Sequence, residues 1–381
     1  MLVVDTFENL LSESDMSLSE IADAIGIPKS QLSAYFTSKG KKTIDFVYLL
    51  RAVRVIKPDY EEAFMKAICP CFLRPRNLRA AMEYASTFNY FDLQRVLYEV
   101  NVVLGRENKD FAEIYLIYLD FQEGKVDKEE ILARVNLYTP KCYETEIMKV
   151  IILCSLYYVK KDYKMVYKLS YNLDELVGKI KTEYIRESYM SRACDLIARS
   201  YLYYKNDVKK ARFFATSLMK NEFSAYRRIH ADYIMSISYF YEDYQLCMNY
   251  MKKYKRSLIE TGNVVLAEEL DNKEIPFVKN HWNKNKSIVS NDMAEVAHFH
   301  AKNGNKEEAL NVLKAMEPLT PFQLYYKGIV LNDPQVLSLS FVEFMKLGNR
   351  FFANLPKNEL KKYENYGFFA ELLYNKTGNI F

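Results

Sequence analysis

Residues 17–57 read SLSEIADAIGIPKSQLSAYFTSKGKKTIDFVYLLRAVRVIK, and this stretch decides how the front of the chain folds. Two short helices joined by a tight turn are encoded in it, followed by a basic loop and a third helix. Ser17 can cap the first helix while Glu20, three residues on, returns the bond, which is a capping box. Ile21, Ala22 and Ile25 form a small apolar face, and Gly26 suits the left-handed residue that closes such a helix. Pro28 pre-sets the first turn of the second helix. Leu32, Ala34, Tyr35 and Phe36 follow, leaving Lys29, Ser30, Gln31, Ser33 and Ser38 to face outward. Thr43 is expected to cap a helix over residues 44–56. A helix, a glycine turn and a second short helix bearing small polar groups make the helix-turn-helix pattern for the major groove.

Charge supports that pattern. Residues 1–27 carry the acids Asp5, Glu8, Glu13, Asp15, Glu20 and Asp23 and no Lys or Arg. Residues 28–57 carry Lys29, Lys39, Lys41, Lys42, Arg51, Arg54 and Lys57 against the single acid Asp45. The basic side thus coincides with the second helix and the loop after it, where phosphate neutralisation would supply sequence-independent DNA affinity. Lys29, Ser30, Gln31, Ser33 and Tyr35 are the candidates for base edges, and Lys39, Lys41 and Lys42 for phosphates. The bland alternative is a helical hairpin with a solvated basic loop.

Outside this stretch, 381 residues suffice for two or more domains with a substantial core. Half the residues are hydrophobic, with 32 Tyr and 23 Phe but only 11 Gly and 10 Pro, which points to an all-α protein. A net charge of +4 is too mild for the whole chain to act as a nucleic-acid binder. Cys69, Cys71, Cys142, Cys154, Cys194 and Cys247 are scattered among apolar neighbours, as expected of reduced thiols in a cytoplasmic protein. The longest apolar run, residues 150–159, is far short of the ~18 residues of a membrane span, so no membrane partner is expected.

Residues 3–12 form an amphipathic first helix, and Lys57-Pro58 ends the small domain. Residues 59–68 read as a linker helix, and Cys69-Pro70-Cys71 with Arg74-Pro75 as a bend. From there helix pairs recur, turning near Asn89, Gly124, Asp162, Asn206, Asp243 and Gly304. Asn89 to Gly124 and Asn206 to Asp243 each span about 35 residues, near the ~34 of a tetratricopeptide unit. The other spacings drift, so the repeats are degenerate. The expected fold is therefore an N-terminal helix-turn-helix domain followed by a right-handed superhelix of tetratricopeptide-like pairs, whose concave side suits an extended peptide. Its expected segments are 1–57 for DNA, 58–75 as linker, 76–320 as repeats, and 321–381 as capping or dimerisation helices. Residues 274–290, Asn/Lys-rich and holding the lone Trp282, read as an irregular connection between repeats.

Enzyme signatures are missing. His298 and His300 lie two apart and would point to different helix faces, while His230 and His281 have no carboxylate or Cys at ligand spacing. Cys69-Pro-Cys71 is not a paired CxxC, and no glycine-rich phosphate loop or nucleophile elbow occurs. No metal, cofactor or catalytic residue is expected, and the reading is of a binding protein. Groove candidates near the repeat turns are Tyr201, Tyr204, Asn206, Arg228, Asp232 and Tyr239. Asn206 can pair with a peptide backbone in both senses, or merely cap the next helix. Arg228 can fork onto a terminal carboxylate.

Several stretches resemble the arbitrium receptors, the AimR family of temperate Bacillus phages. They are AAMEYASTFNYFD (80–92), NDVKKAR (206–212), SYFYEDY (238–244), NHWNKNKSIVSNDMAEVAHFHAKNGNKEEALNVLK (280–314), YYKGIVLND (325–333) and LGNRFFANLP (347–356). The resemblance implies a homodimeric transcription regulator that binds operator DNA and acts in the lysis-lysogeny decision. It also implies a signalling peptide of about six residues, held in the repeat concavity, that switches the regulator off. Carried over by position, peptide contacts fall on Asn206, Arg228, Glu295, Asn349 and Phe352. Asn349 stands where the family more usually has an acid, and residues 318–321 depart from a family insertion that bears a further polar contact. A rival reading is a repeat scaffold for a phosphatase- or response-regulator-type partner without DNA binding. Another is an enzyme with an unrecognised groove site.

Overall fold

The capping box forms as the sequence writes it. Glu20 Oε2 accepts from the Ser17 N–H at 2.7 Å, and Ser17 Oγ accepts from the Glu20 N–H at 3.3 Å. Helix Leu18–Ile25 then ends on Gly26 in the left-handed region, at φ 79°. Helix Lys29–Thr37 follows, packed on Leu18–Ile25, which in turn packs on Phe46–Ile56. Ile21, Ile25, Leu32, Leu49 and Leu50 are the buried centre of this cluster. Phe7 of the first helix, Leu2–Ser12, closes it with rings at 5.4 Å from Phe36 and 6.4 Å from Phe64.

The computed structural model describes residues 2–38, 44–223 and 225–376, and every regular element among them is helical. The third helix begins at Phe46 rather than at residue 44. Asp45 stands before it without a side-chain cap bond and instead pairs with Arg76 at 2.5 Å and Arg74 at 3.3 Å. Asn77 takes over the capping, accepting from the Phe46 N–H at 3.1 Å and donating to the Ile44 carbonyl at 2.8 Å. Thr43, the expected cap, lies outside the described residues.

The chain divides into two compact units, Met1–Leu156 with Asn172–Met190, and Tyr157–Tyr171 with Ser191–Phe381. Residues 1–57 fall in the first and 321–381 in the second, while the 76–320 segment is shared between them. In the first unit, consecutive helices such as Phe91–Val102 and Arg106–Glu123 pack on each other across short turns. The turns carry left-handed residues where the sequence places them, Asn89 at φ 57° and Gly124 at φ 65°.

The second unit repeats the scheme. Ala225–Ser238 packs on Tyr244–Glu260, Met293–Lys302 on Lys306–Lys314, and Pro321–Leu331 on Pro334–Lys346. Asp162 and Asp243 act as N-caps, accepting from the Met165 and Leu246 N–H groups at 2.9 Å each. Two features differ from expectation. Glu274–His281 is a helix rather than irregular, because Phe277 and Val278 are buried and Trp282 donates to the Phe240 carbonyl at 2.9 Å. Tyr201–Lys205 is a π-turn closed by the Asn206 N–H on the Tyr201 carbonyl, with Asn206 left-handed at φ 53°.

Candidate functional site

Helix Arg350–Leu360 folds back within the second unit and sets Phe352 against Phe277 at 5.7 Å and Phe322 at 5.1 Å between ring centres. Phe322 also meets Phe344 at 4.8 Å. Beside this phenylalanine floor lies a cavity of about 520 Å³. Tyr158, Tyr163, Tyr203 and Tyr233 make its far wall, and Asp292, Glu295, Thr320, Tyr326 and Asn349 supply polar groups. A mostly apolar concavity of this size with a few placed polar groups is how ligand sites are built.

Buried charge fixes the tyrosine wall. Arg199 donates from Nη1 to the Tyr158 hydroxyl at 2.6 Å and from Nε to Asp195 at 2.7 Å. Burial works against both charges, yet Arg199 and neighbouring cations hold the Asp195 carboxyl below its usual range. Tyr163 and Tyr203 lie beside this pair with ring centres 4.7 Å apart and planes tilted by 35°.

Glu295 is the polar centre of the opposite side and is 7% exposed. Its Oε1 accepts from the Tyr326 hydroxyl at 2.8 Å; its Oε2 accepts from Asn280 Nδ2 at 3.2 Å and faces His298 Nδ1 at 3.0 Å. Those three partners leave one of the roughly four lone-pair positions of a carboxylate for a donor in the cavity. Asn349 is complementary. Its Oδ1 is taken by the Phe352 N–H at 3.1 Å, so Nδ2 is the group it can offer. Asp292 is committed to capping, accepting from the Ala294 N–H at 2.8 Å and the Glu295 N–H at 3.3 Å. Burial pushes the Glu274 carboxyl up, and exposed Lys161 and Lys273 stand among the lining residues.

Of the nine residues expected at a peptide, Glu295, Asn349 and Phe352 line this cavity and six do not. Tyr201 stacks on Phe214 at 6.0 Å, and Asn206 donates to the Tyr374 hydroxyl at 2.9 Å. Arg228 is exposed away from the cavity. Asp232 pairs with Lys253 at 2.8 Å, and the Tyr239 ring is covered by the Arg212 guanidinium at 3.7 Å. Missed by the sequence reading were Tyr203, Tyr233, Phe277, Phe322, Tyr326 and Phe344. Tyr203, one helical turn beyond Arg199, lines the cavity, whereas Tyr204 lies against Tyr167 with ring centres 5.2 Å apart.

In the first unit, helix Lys29–Thr37 exposes Lys29, Ser30 and Gln31 in its first turn, with Ser33 half-buried. Tyr35 is not with them. It is 4% exposed, and its ring meets Phe36 at 5.2 Å and Phe7 at 6.2 Å, so it belongs to the core. Lys39, Lys41 and Lys42 lie outside the described residues. Among the described residues there is no cluster of metal-ligating groups, and no helix is long and apolar enough to cross a membrane. None of the six cysteines, all among the described residues, is in a disulfide; Cys69, Cys154, Cys194 and Cys247 are buried.

Residues 61–362 match the family described as AimR transcriptional regulator-like. The AimR transcriptional regulator of Bacillus phage phi3T is 22% identical over 338 residues, 82% of this chain and 85% of that protein. A structure of phAimR with a ligand superposes with a TM-score of 0.70 at 20% identity, covering 84% of this chain and 98% of that one. A structure of selenomethionine phAimR does so with a TM-score of 0.67 at 16% identity, covering 98% and 100%. At these identities the structural likeness speaks for the fold.

Proposed function

The chain belongs to the AimR transcriptional regulator-like family, and from that premise we propose that it is a DNA-binding regulator of the phage lysis-lysogeny decision switched by a short peptide. The observation that carries this reading is the second unit's cavity, where Glu295 keeps an acceptor position and Asn349 a donor beside an apolar floor. A peptide of about six residues offers matching groups: backbone carbonyls for Asn349, a cationic or N–H donor for Glu295, and apolar side chains for the phenylalanines. That phAimR was solved with a ligand supports the choice of a ligand-binding regulator.

DNA would be met by the exposed first turn of Lys29–Thr37, with Gln31 and Ser30 at base edges; Lys29, named above for a base edge, is assigned to phosphate instead because it is the first residue of the helix. The protein would work in the host cytoplasm as a homodimer, because two half-sites one or more helical turns apart require two reading helices. Peptide would act by favouring an arrangement of the dimer that no longer matches that spacing. It can do so only through different affinities for the two arrangements.

The test is an electrophoretic shift on DNA from upstream of the chain's own gene, together with the peptide encoded in the adjacent small reading frame. A shift that the peptide reverses supports the proposal. Absence of any shift at low salt, with capture of a protein partner instead, would favour the scaffold reading.

A further inference from the structure

Behind the wall of the large cavity lies a second one, of about 350 Å³, within the same unit. The two share the segment that ends helix Pro334–Lys346 and turns into Arg350–Leu360. Phe344, Leu347 and Asn349 face the large cavity, whereas Met345, Gly348 and Arg350 face the small one. The turn is held tightly. Gly348 has φ 68°, and a Cβ there would come within 2.9 Å of the Lys164 backbone nitrogen and 3.1 Å of the Tyr204 ring.

Among the described residues the small cavity is lined by Phe341, Val342, Met345 and Leu373 and carries three cations, Lys164, Lys346 and Arg350, with no carboxylate beside them in the lining. Lys346 is engaged by Glu343 at 2.6 Å. Arg350 donates from Nη2 to the Tyr374 carbonyl at 2.7 Å, while its Nε is buried without a hydrogen-bond partner. That nitrogen has no surface open to the chamber, so the cationic groups a ligand there can meet are Lys164 and the terminal nitrogens of Arg350, for which an anionic acceptor forms the stronger bond. The volume falls in the range of small-molecule sites, about 300–1,000 Å³.

We infer that this chamber is a second ligand site, for an apolar molecule ending in one carboxylate, such as a medium-chain acyl acid. Its chain fills the space between Phe341, Val342, Met345 and Leu373, and its carboxylate meets Arg350 and Lys164. Where the large cavity holds the peptide proposed above, the shared wall couples the two sites, and each ligand alters the other's affinity by the same factor.

Titration calorimetry of the full chain with decanoate and with decanol tests the site without any peptide. Decanoate should bind once per chain, and at least about tenfold more tightly than decanol, given a charged hydrogen bond to the guanidinium. Arg350→Gln should remove that preference and leave decanol binding unchanged. Met345→Trp, or Val342→Trp should the first variant not fold by circular dichroism, should abolish both by filling the chamber. Absence of saturable decanoate binding, equal affinity for acid and alcohol, or binding that survives the filled chamber would each overturn the assignment. Failure of peptide binding would bear only on the large cavity.

Discussion

Tyr326→Phe isolates one bond of the Glu295 network. The phenyl ring keeps its place, since His298 stacks on it with ring centres 4.2 Å apart and near-parallel planes. What is lost is the hydroxyl that donates to Glu295 Oε1 at 2.8 Å, between side chains that are 1% and 7% exposed. A hydrogen bond to a charged group contributes about 1.5–3 kcal/mol, and the orphaned lone pair cannot be rehydrated at this depth. For a unit of about 150–250 residues each kcal/mol moves Tm by about 2–4 °C, so the variant should melt about 3–12 °C lower. Glu295→Gln should also destabilise, because the amide presents an N–H to one of the donors that now surround the carboxylate. The double variant should then cost less than the sum of the singles by about 1 kcal/mol or more, the signature of a direct contact. Thermal melts by circular dichroism, with urea titrations of all four proteins, measure this. A Tm within about 1 °C of the parent for Tyr326→Phe, or strict additivity in the cycle, would refute a satisfied buried carboxylate at the cavity.

Four other substitutions probe the DNA-facing helix and the buried ring of His281. Lys29→Ala should weaken binding to every DNA sequence and lower the salt slope by about 1, while Gln31→Ala should relax preference at one or two base pairs. Both are read by anisotropy titrations across salt, and an unchanged slope for the lysine variant would take Lys29 off the phosphates. Tyr35→Phe should leave DNA affinity and sequence preference unchanged and keep or raise stability. The Tyr35 hydroxyl is buried with no hydrogen-bond partner, and burial pushes its pKa up to about 12. Altered base preference in that variant would return the ring to the reading face. Finally, burial, reinforced by Lys302 and His298, lowers the pKa of His281 to about 3. Below the unfolded value of about 6.5 the unfolded chain takes up a proton that the native ring refuses, so stability falls by about 1.4 kcal/mol per pH unit from this residue. His281→Phe should therefore show a flatter fall in urea midpoint between pH 7 and pH 5 than the parent; identical slopes would contradict the neutral buried ring.

The parts of the fold that were legible in the sequence are those governed by local chemistry. Ser17 with Glu20 and Gly26 announce a cap and adopt it, and Asn89 and Gly304 turn the chain where the sequence places turns, whereas Asn206 closes the preceding turn and leaves the capping of the next helix to Asp207. The helix Glu274–His281 was hidden because its polar, Asn/Lys-rich flanks outweigh two buried residues, Phe277 and Val278, that only the packed unit explains. The cavity was harder still. Residues beside turns seemed free to meet a ligand, yet Asp232 is tied to Lys253, Tyr239 is covered by Arg212, and Tyr201 lies on Phe214. Those partners sit on other helices, beyond the reach of periodicity. Glu295, Asn349 and Phe352 came from the family resemblance, because the floor they share with Phe277 and Phe322 is assembled from segments 75 residues apart in the chain. Tyr35 shows the opposite error: a polar-tipped aromatic on a short helix looks available until Phe7 and Phe36 enclose it.

The central claim is that the duplex held by the front helices is released through the hollow that Glu295 guards. Anisotropy of labelled upstream DNA, saturated with the full chain and then titrated with the neighbouring frame's peptide, tests it in one cuvette. The account predicts release of DNA from the parent protein, and retained DNA with a much weaker response to peptide in the Glu295→Gln variant. A parent complex indifferent to peptide, or a Glu295→Gln variant released as readily as the parent, would contradict it.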